Sequence, residues 1–159
     1  MIARYRVLAS RLRDEVNTLD TSAEAIVRHW RGFKSVLSDQ DAYLNSVAFG
    51  LQSFYSGIER VLQLVAEEMD GGTLGGESWH TELLRQMATD VPGVRPRVLE
   101  VAGADWLDEY RKFRDLARSI YATNLVPERV EPLVAGLAEG WPDVRRDLLA
   151  FAEFLDRVG

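Results

Sequence analysis

The sequence predicts an all-α fold: an antiparallel bundle of five to six helices that opens with two long ones. Apolar residues recur at three- and four-residue intervals along most of the chain, which is the period of one helix face. No stretch alternates with period two for long enough to make a strand. The breaks between periodic runs carry the glycine, proline or capping patterns expected at helix ends.

The first run is the most regular. Tyr5, Ala9, Leu12, Val16, Leu19, Ala23, Ile26, Trp30, Phe33 and Leu37 keep a 3-4 spacing without a slip. This predicts one helix over residues 2–37, roughly 54 Å long at 1.5 Å per residue. Thr21-Ser22 offers an alternative cap, but the phase continues unbroken across it. Ser38-Asp39-Gln40-Asp41 then reads as a stop followed by a capping box. The second helix carries Leu44, Val47, Leu51, Phe54, Ile58, Val61, Val65 and Met69, and Gly71 ends it.

A glycine-rich loop over residues 71–76 leads to a short helix, Ser78–Thr89. Pro92 and Pro96 make the next segment irregular. A helix over Asp105–Thr123 follows, with Trp106, Tyr110, Phe113, Ala117 and Ile120 as its apolar stripe. Pro127 suits the first turn of a segment reaching Ala138. Gly140-Trp141-Pro142 is expected to interrupt it, and a last helix carries Val144, Leu148, Phe151 and Leu155.

Composition narrows the function. The 159 residues, 47% hydrophobic and 28% charged, suit one globular domain over residues 1–159. A net charge of −6 argues against a surface wholly devoted to nucleic acid or acidic lipid. There is no cysteine, and His29 and His80 are the only histidines, so neither a thiolate nor a His-rich metal site is expected. No metal and no cofactor are expected. No signal-peptide pattern is read at the N-terminus, and no apolar run approaches the 18 or so residues of a membrane span. A cytoplasmic protein that avoids membranes is the expectation.

One helix carries candidate chemistry. On a wheel, Arg111, Arg114, Arg118 and Tyr121 fall within roughly 80° of one another. Arg95 and Arg97 lie just upstream, and Lys112 sits on another face. Such arginines pair with nearby Asp105, Asp108, Glu109 and Asp115, or they bind an anion such as phosphate. Trp30, Trp79, Trp106 and Trp141 are read as core or interface anchors. The glycine loop lacks the Lys-Ser/Thr of a phosphate-binding loop.

Five segments stand out in order: Leu51-Gln-Ser-Phe-Tyr-Ser-Gly-Ile-Glu-Arg60, Asp70-Gly-Gly, Trp79-His80 with Glu82-Leu83-Leu84, Pro92-Gly-Val-Arg-Pro96, and Phe113-Arg-Asp-Leu-Ala-Arg-Ser-Ile-Tyr121. Together, over about residues 40–158, they resemble the HepT-like branch of the HEPN superfamily. The resemblance implies a toxin–antitoxin component related to metal-independent ribonuclease toxins, with a homodimer whose motifs line a shared cleft. It implies a minimal nucleotidyltransferase as antitoxin partner, which adenylylates the motif tyrosine, and RNA as ligand. Matched position by position, Arg114 is the motif arginine and Tyr121 the motif tyrosine and modification acceptor. Arg111, Arg114 and Arg118 are the phosphate-binding candidates.

Ser119 stands where the family has histidine. An imidazole moves protons near neutral pH, whereas a serine hydroxyl needs a base beside it. The catalytic set Arg114, Ser119 and Tyr121 is therefore degenerate, and its activity is expected to be weak or absent. The alternative is a non-catalytic module that binds, or is modified by, the nucleotidyltransferase. Neither His29 nor His80 has an arginine at the motif spacing; His29 is read as structural and His80 as structural or surface, with a rescue of the site by His80 across a dimer as the alternative.

Overall fold

The computed structural model describes residues 2–119 and 124–159. Helix α1, Ile2–Ser35, is a single unbroken rod, because its apolar phase never slips. Leu8, Leu12, Val16, Leu19, Ile26 and Trp30 are buried along one side. Each such residue contributes about 1.5–3 kcal/mol by leaving water. The rod ends short of Leu37, which is fully exposed rather than the last core position.

The turn into α2, Gln40–Val65, differs from the expected capping box. Asp39 takes a left-handed backbone, φ 60°, and no side chain caps the helix start. Gln40 instead turns back, its amide donating to the carbonyls of Phe33 and Val36 at the open end of α1. One side chain thus satisfies two orphan acceptors of the preceding helix. Beyond α2 the chain runs through a π-helical turn, Ala66–Asp70, and stops at Gly71, whose φ of 80° favours glycine.

After a 3-10 turn, Gly76–Ser78, come α3, Trp79–Met87, and α4, Val101–Ser119. Helix α4 begins four residues before the expected Asp105. The linker between α3 and α4 is tied down by Arg95. Its buried guanidinium grips Asp70 with two bonds of 2.7 Å and donates to the carbonyls of Gln86, Thr89 and Pro96. Gln86 also donates to Asp70. The end of the π-turn, the end of α3 and the linker are thereby held at one point.

The largest departure from the sequence reading is α5, Pro127–Val158, one helix through both Pro132 and Pro142. Its buried residues Val130, Val134, Leu137, Trp141, Val144, Leu148, Phe151 and Leu155 hold a strict 4-3 phase across the expected break. Each internal proline deprives the carbonyl four residues earlier of its partner. Those carbonyls belong to Glu128 and Ala138, both exposed residues on the solvent side of the helix, where the lost bond costs least. Trp141 further pins this point by donating to Asp20 of α1 at 2.7 Å. Five α-helices are therefore present among the described residues, and no strand, only an isolated bridge between Val91 and Arg95.

Helix α1 packs against α2 on one side and α5 on the other, while α4 lies against α2, α3 and α5. The rings of Trp106, Tyr110 and Trp141 surround Phe54, with centroids 5.3–6.5 Å from it. Gly140 and Gly136 give Trp106 and Tyr110 room against α5; a Cβ at Gly140 would overlap the Trp106 indole. An exposed mid-helix glycine normally gains about 1 kcal/mol on change to alanine. Here Gly140→Ala is expected to cost about 1–3 kcal/mol through overpacking, read as a lower urea midpoint. A gain in stability would show that Trp106 moves aside freely.

Candidate functional site

Helices α2, α3 and α4 meet around one carboxylate. Glu59 is on α2, one turn after Tyr55, and both side chains face inward to α4. Arg114 of α4 donates from Nη1 to Glu59 Oε1 at 2.8 Å. His80, second residue of α3, sets Nδ1 3.0 Å from Glu59 Oε2. The two carboxylate oxygens are thus divided between an arginine and a histidine.

Burial is uneven across this triad. The Arg114 side chain is 1% exposed and that of Glu59 10%, while that of His80 is 39% exposed. Arg114 also lies over the Tyr55 ring, its Cζ 4.8 Å from the centroid, a cation–π contact. Its Nε is 3.5 Å from Asp115 Oδ1, within ion-pair reach but without a hydrogen bond. The Tyr55 hydroxyl is buried with no hydrogen-bond partner among the described residues. Burial, and then the charge of Glu59, push its pKa well above the usual phenol value, so Tyr55 stays neutral.

Electrostatics hold Glu59 and Arg114 charged. Burial alone would raise the Glu59 pKa, but hydrogen bonds from Arg114 and His80 outweigh it and keep the carboxyl below its ordinary value. For Arg114, burial works against the charge and the bond to Glu59 reverses that, leaving its pKa raised. An ionised carboxylate only accepts hydrogen bonds, so His80 Nδ1 is the donor. In the neutral imidazole Nε2 then carries the lone pair.

The motif positions are placed as follows. Arg114 was expected beside Arg111 and Arg118 on an open face; instead its guanidinium is turned inward, because Glu59 and Tyr55 offer a charge and a π-face in the core. Arg111 remains at the surface edge of α4, bonded to Asp108 at 2.7 Å and Asp115 at 3.2 Å, which is the acid-paired arrangement. Burial opposes its charge, but the bond to Asp108 raises its pKa. Lys112 pairs with Glu109 and Asp108, and Arg97 with Asp90 and Glu100. Arg118 and Ser119 are exposed in the last turn, where the Ser119 hydroxyl donates to its own helix at Leu116 O, 2.8 Å. Tyr121, and with it Ile120, lies outside the described residues.

Sequence reasoning missed Glu59, Tyr55 and the position of His80. The signal was present: Glu59 falls in phase with Tyr55, Leu62 and Ala66 on an otherwise apolar stripe. His29, by contrast, is half-buried against α2, with Nδ1 2.9 Å from Ser46 Oγ, a structural link. Among the described residues no group of three histidine or acidic side chains could hold a metal ion. No described helix is long and apolar enough to cross a membrane.

Residues 46–155 match the family described as HepT-like protein. The matched span runs from within α2 into the last turns of α5 and includes Tyr55, Glu59, His80, Arg114 and Ser119. No curated protein and no solved structure matches the chain.

Proposed function

Because the chain belongs to the HepT-like family, we propose that it is the toxin-side component of a toxin–antitoxin pair and cleaves RNA without a metal. Carrying this reading is the motif arginine, Arg114, locked by Glu59 beside a half-exposed histidine. Arg118, exposed in the last turn of α4, is the group to meet phosphate, and Arg111 joins it only by giving up Asp108 and Asp115. The antitoxin is a minimal nucleotidyltransferase that adenylylates Tyr121, and the working form is a homodimer in the cytoplasm.

The test combines growth and labelling. Induced expression should arrest bacterial growth, and co-expression of the cognate nucleotidyltransferase should relieve the arrest and leave an adenylyl group on Tyr121. Tyr121→Phe should stay unlabelled and unrelieved. Labelling that persists in this variant would move the acceptor to another residue.

A second reading has its own support. The Ser119 hydroxyl is bonded within its helix and Arg114 is turned inward, so the motif positions themselves hold no proton-transfer group. On that basis the chain is a non-catalytic module bound or modified by the nucleotidyltransferase. Absence of RNA cleavage by both the native chain and Ser119→His would select it. Activity in the histidine variant alone would mean a cleft disarmed at one position.

A further inference from the structure

We infer that His80, oriented by Glu59, is the proton-transfer group of this protein, taking the place left by the histidine that Ser119 replaces. The inference rests on the ribonuclease reading above and deepens it.

Three observations carry it. First, His80 is held at one nitrogen only. Nδ1 is committed to Glu59, and Nε2 makes no hydrogen bond among the described residues. A base positioned by a carboxylate, with its second nitrogen open, is the arrangement that activates hydroxyl groups in many hydrolytic sites. Second, the carboxylate is itself fixed, because Arg114 takes the other oxygen at 2.8 Å. Arg114 thus acts as a positioning residue: it keeps Glu59 ionised and in place, and Glu59 sets the tautomer of His80. Third, exposure rises from Arg114 through Glu59 to His80, so the chain of contacts leads outward to solvent. The Trp79 ring covers one face of the imidazole, centroid to centroid 3.6 Å, and limits its rotation.

The reaction balances without a further reagent. Nε2 of His80 takes the proton of an RNA 2′-hydroxyl as the 2′-oxygen bonds to the adjacent phosphorus. The bond from phosphorus to the 5′-oxygen breaks, and that oxygen receives a proton returned from the imidazolium through water. The products are a 2′,3′-cyclic phosphate and a 5′-hydroxyl. The substrate class is single-stranded RNA, whose backbone can adopt the in-line geometry this attack needs.

The experiment uses the purified full chain, EDTA, and an end-labelled single-stranded oligoribonucleotide of mixed sequence. The native chain is expected to leave cyclic-phosphate ends. His80→Gln keeps a donor for Glu59 but cannot accept a proton, and should slow cleavage about 100-fold or more. Its thermal midpoint should match the native chain, because Glu59 keeps Arg114. His80→Gly should regain activity with added imidazole, whereas His29→Gln should cleave at the native rate. Cleavage by His80→Gln at the native rate would overturn the role of His80 and leave the ribonuclease reading standing. No cleavage by the native chain would overturn that reading, and the role of His80 with it.

Discussion

Arg114→Met is expected to lower the stability of the fold by about 3–5 kcal/mol, the usual cost of leaving a buried charge without its partner. Glu59 is 10% exposed and its carboxyl would keep only His80. Glu59→Gln should be destabilising too, by stranding Arg114. The double variant Arg114→Met with Glu59→Gln should recover most of the loss, since two uncharged side chains of similar volume then face each other. Urea unfolding of the four proteins at neutral pH measures the coupling. A loss under about 1 kcal/mol in Arg114→Met would mean that the pair is solvated and not part of the core. The acid limb gives an independent check. The Glu59 pKa is lowered in the fold, so its contribution is complete above its ordinary value of 4.5 and fades as pH falls through the lowered value. The gap between the native chain and Glu59→Gln should therefore narrow in strong acid.

Arg95→Ala should be of similar size, about 3–5 kcal/mol, and more local in its consequences. The Arg95 side chain is wholly buried and that of Asp70 8% exposed, so removal leaves the Asp70 charge without its counter-ion and takes a donor from three backbone carbonyls. For a chain of this length the thermal midpoint should fall by roughly 10 °C. Amide exchange should speed up first at Val98 and Leu99, whose N–H groups bond to Met87 O across the linker that Arg95 holds. Arg95→Lys should rescue little, because an ammonium cannot span both oxygens of Asp70 and the carbonyls at once. Native-like exchange in Arg95→Ala would show that the linker is held by its apolar residues instead.

How far these features were legible depends on the range of the interactions behind them. Helix α1 could be read residue by residue, because a 34-residue helix with an unbroken stripe is a local fact. Helix α5 could not, since Gly140-Trp141-Pro142 is a breaker by local rules. What overrides those rules is packing: Trp141 on Asp20, and Trp106 against the bare backbone of Gly140. The capping box at Ser38 failed for a related reason, as Gln40 found better acceptors at the end of α1. In the site, Arg114 was recognisable from its motif, but its burial was not. Its counter-ion lies 55 residues away, and His80 joins the same carboxylate from a separation of 21. Spacing within one helix describes which groups share a face. It does not describe whether a neighbouring helix presents a carboxylate to that face.

The pairing of α1 with α5 sets the order in which the chain can be completed as it is made. Asp20 waits for Trp141 and Arg145, and Arg13 for Asp156. At synthesis rates of about 5–20 residues per second, the hundred or so residues between them take on the order of 10 s to emerge. During that interval α1 and α2 can form a hairpin by local pairing, but the side of α1 meant for α5 has nothing to cover it. The nascent chain thus carries an uncovered apolar strip until α5 is out of the ribosome. The bundle closes only when that helix arrives.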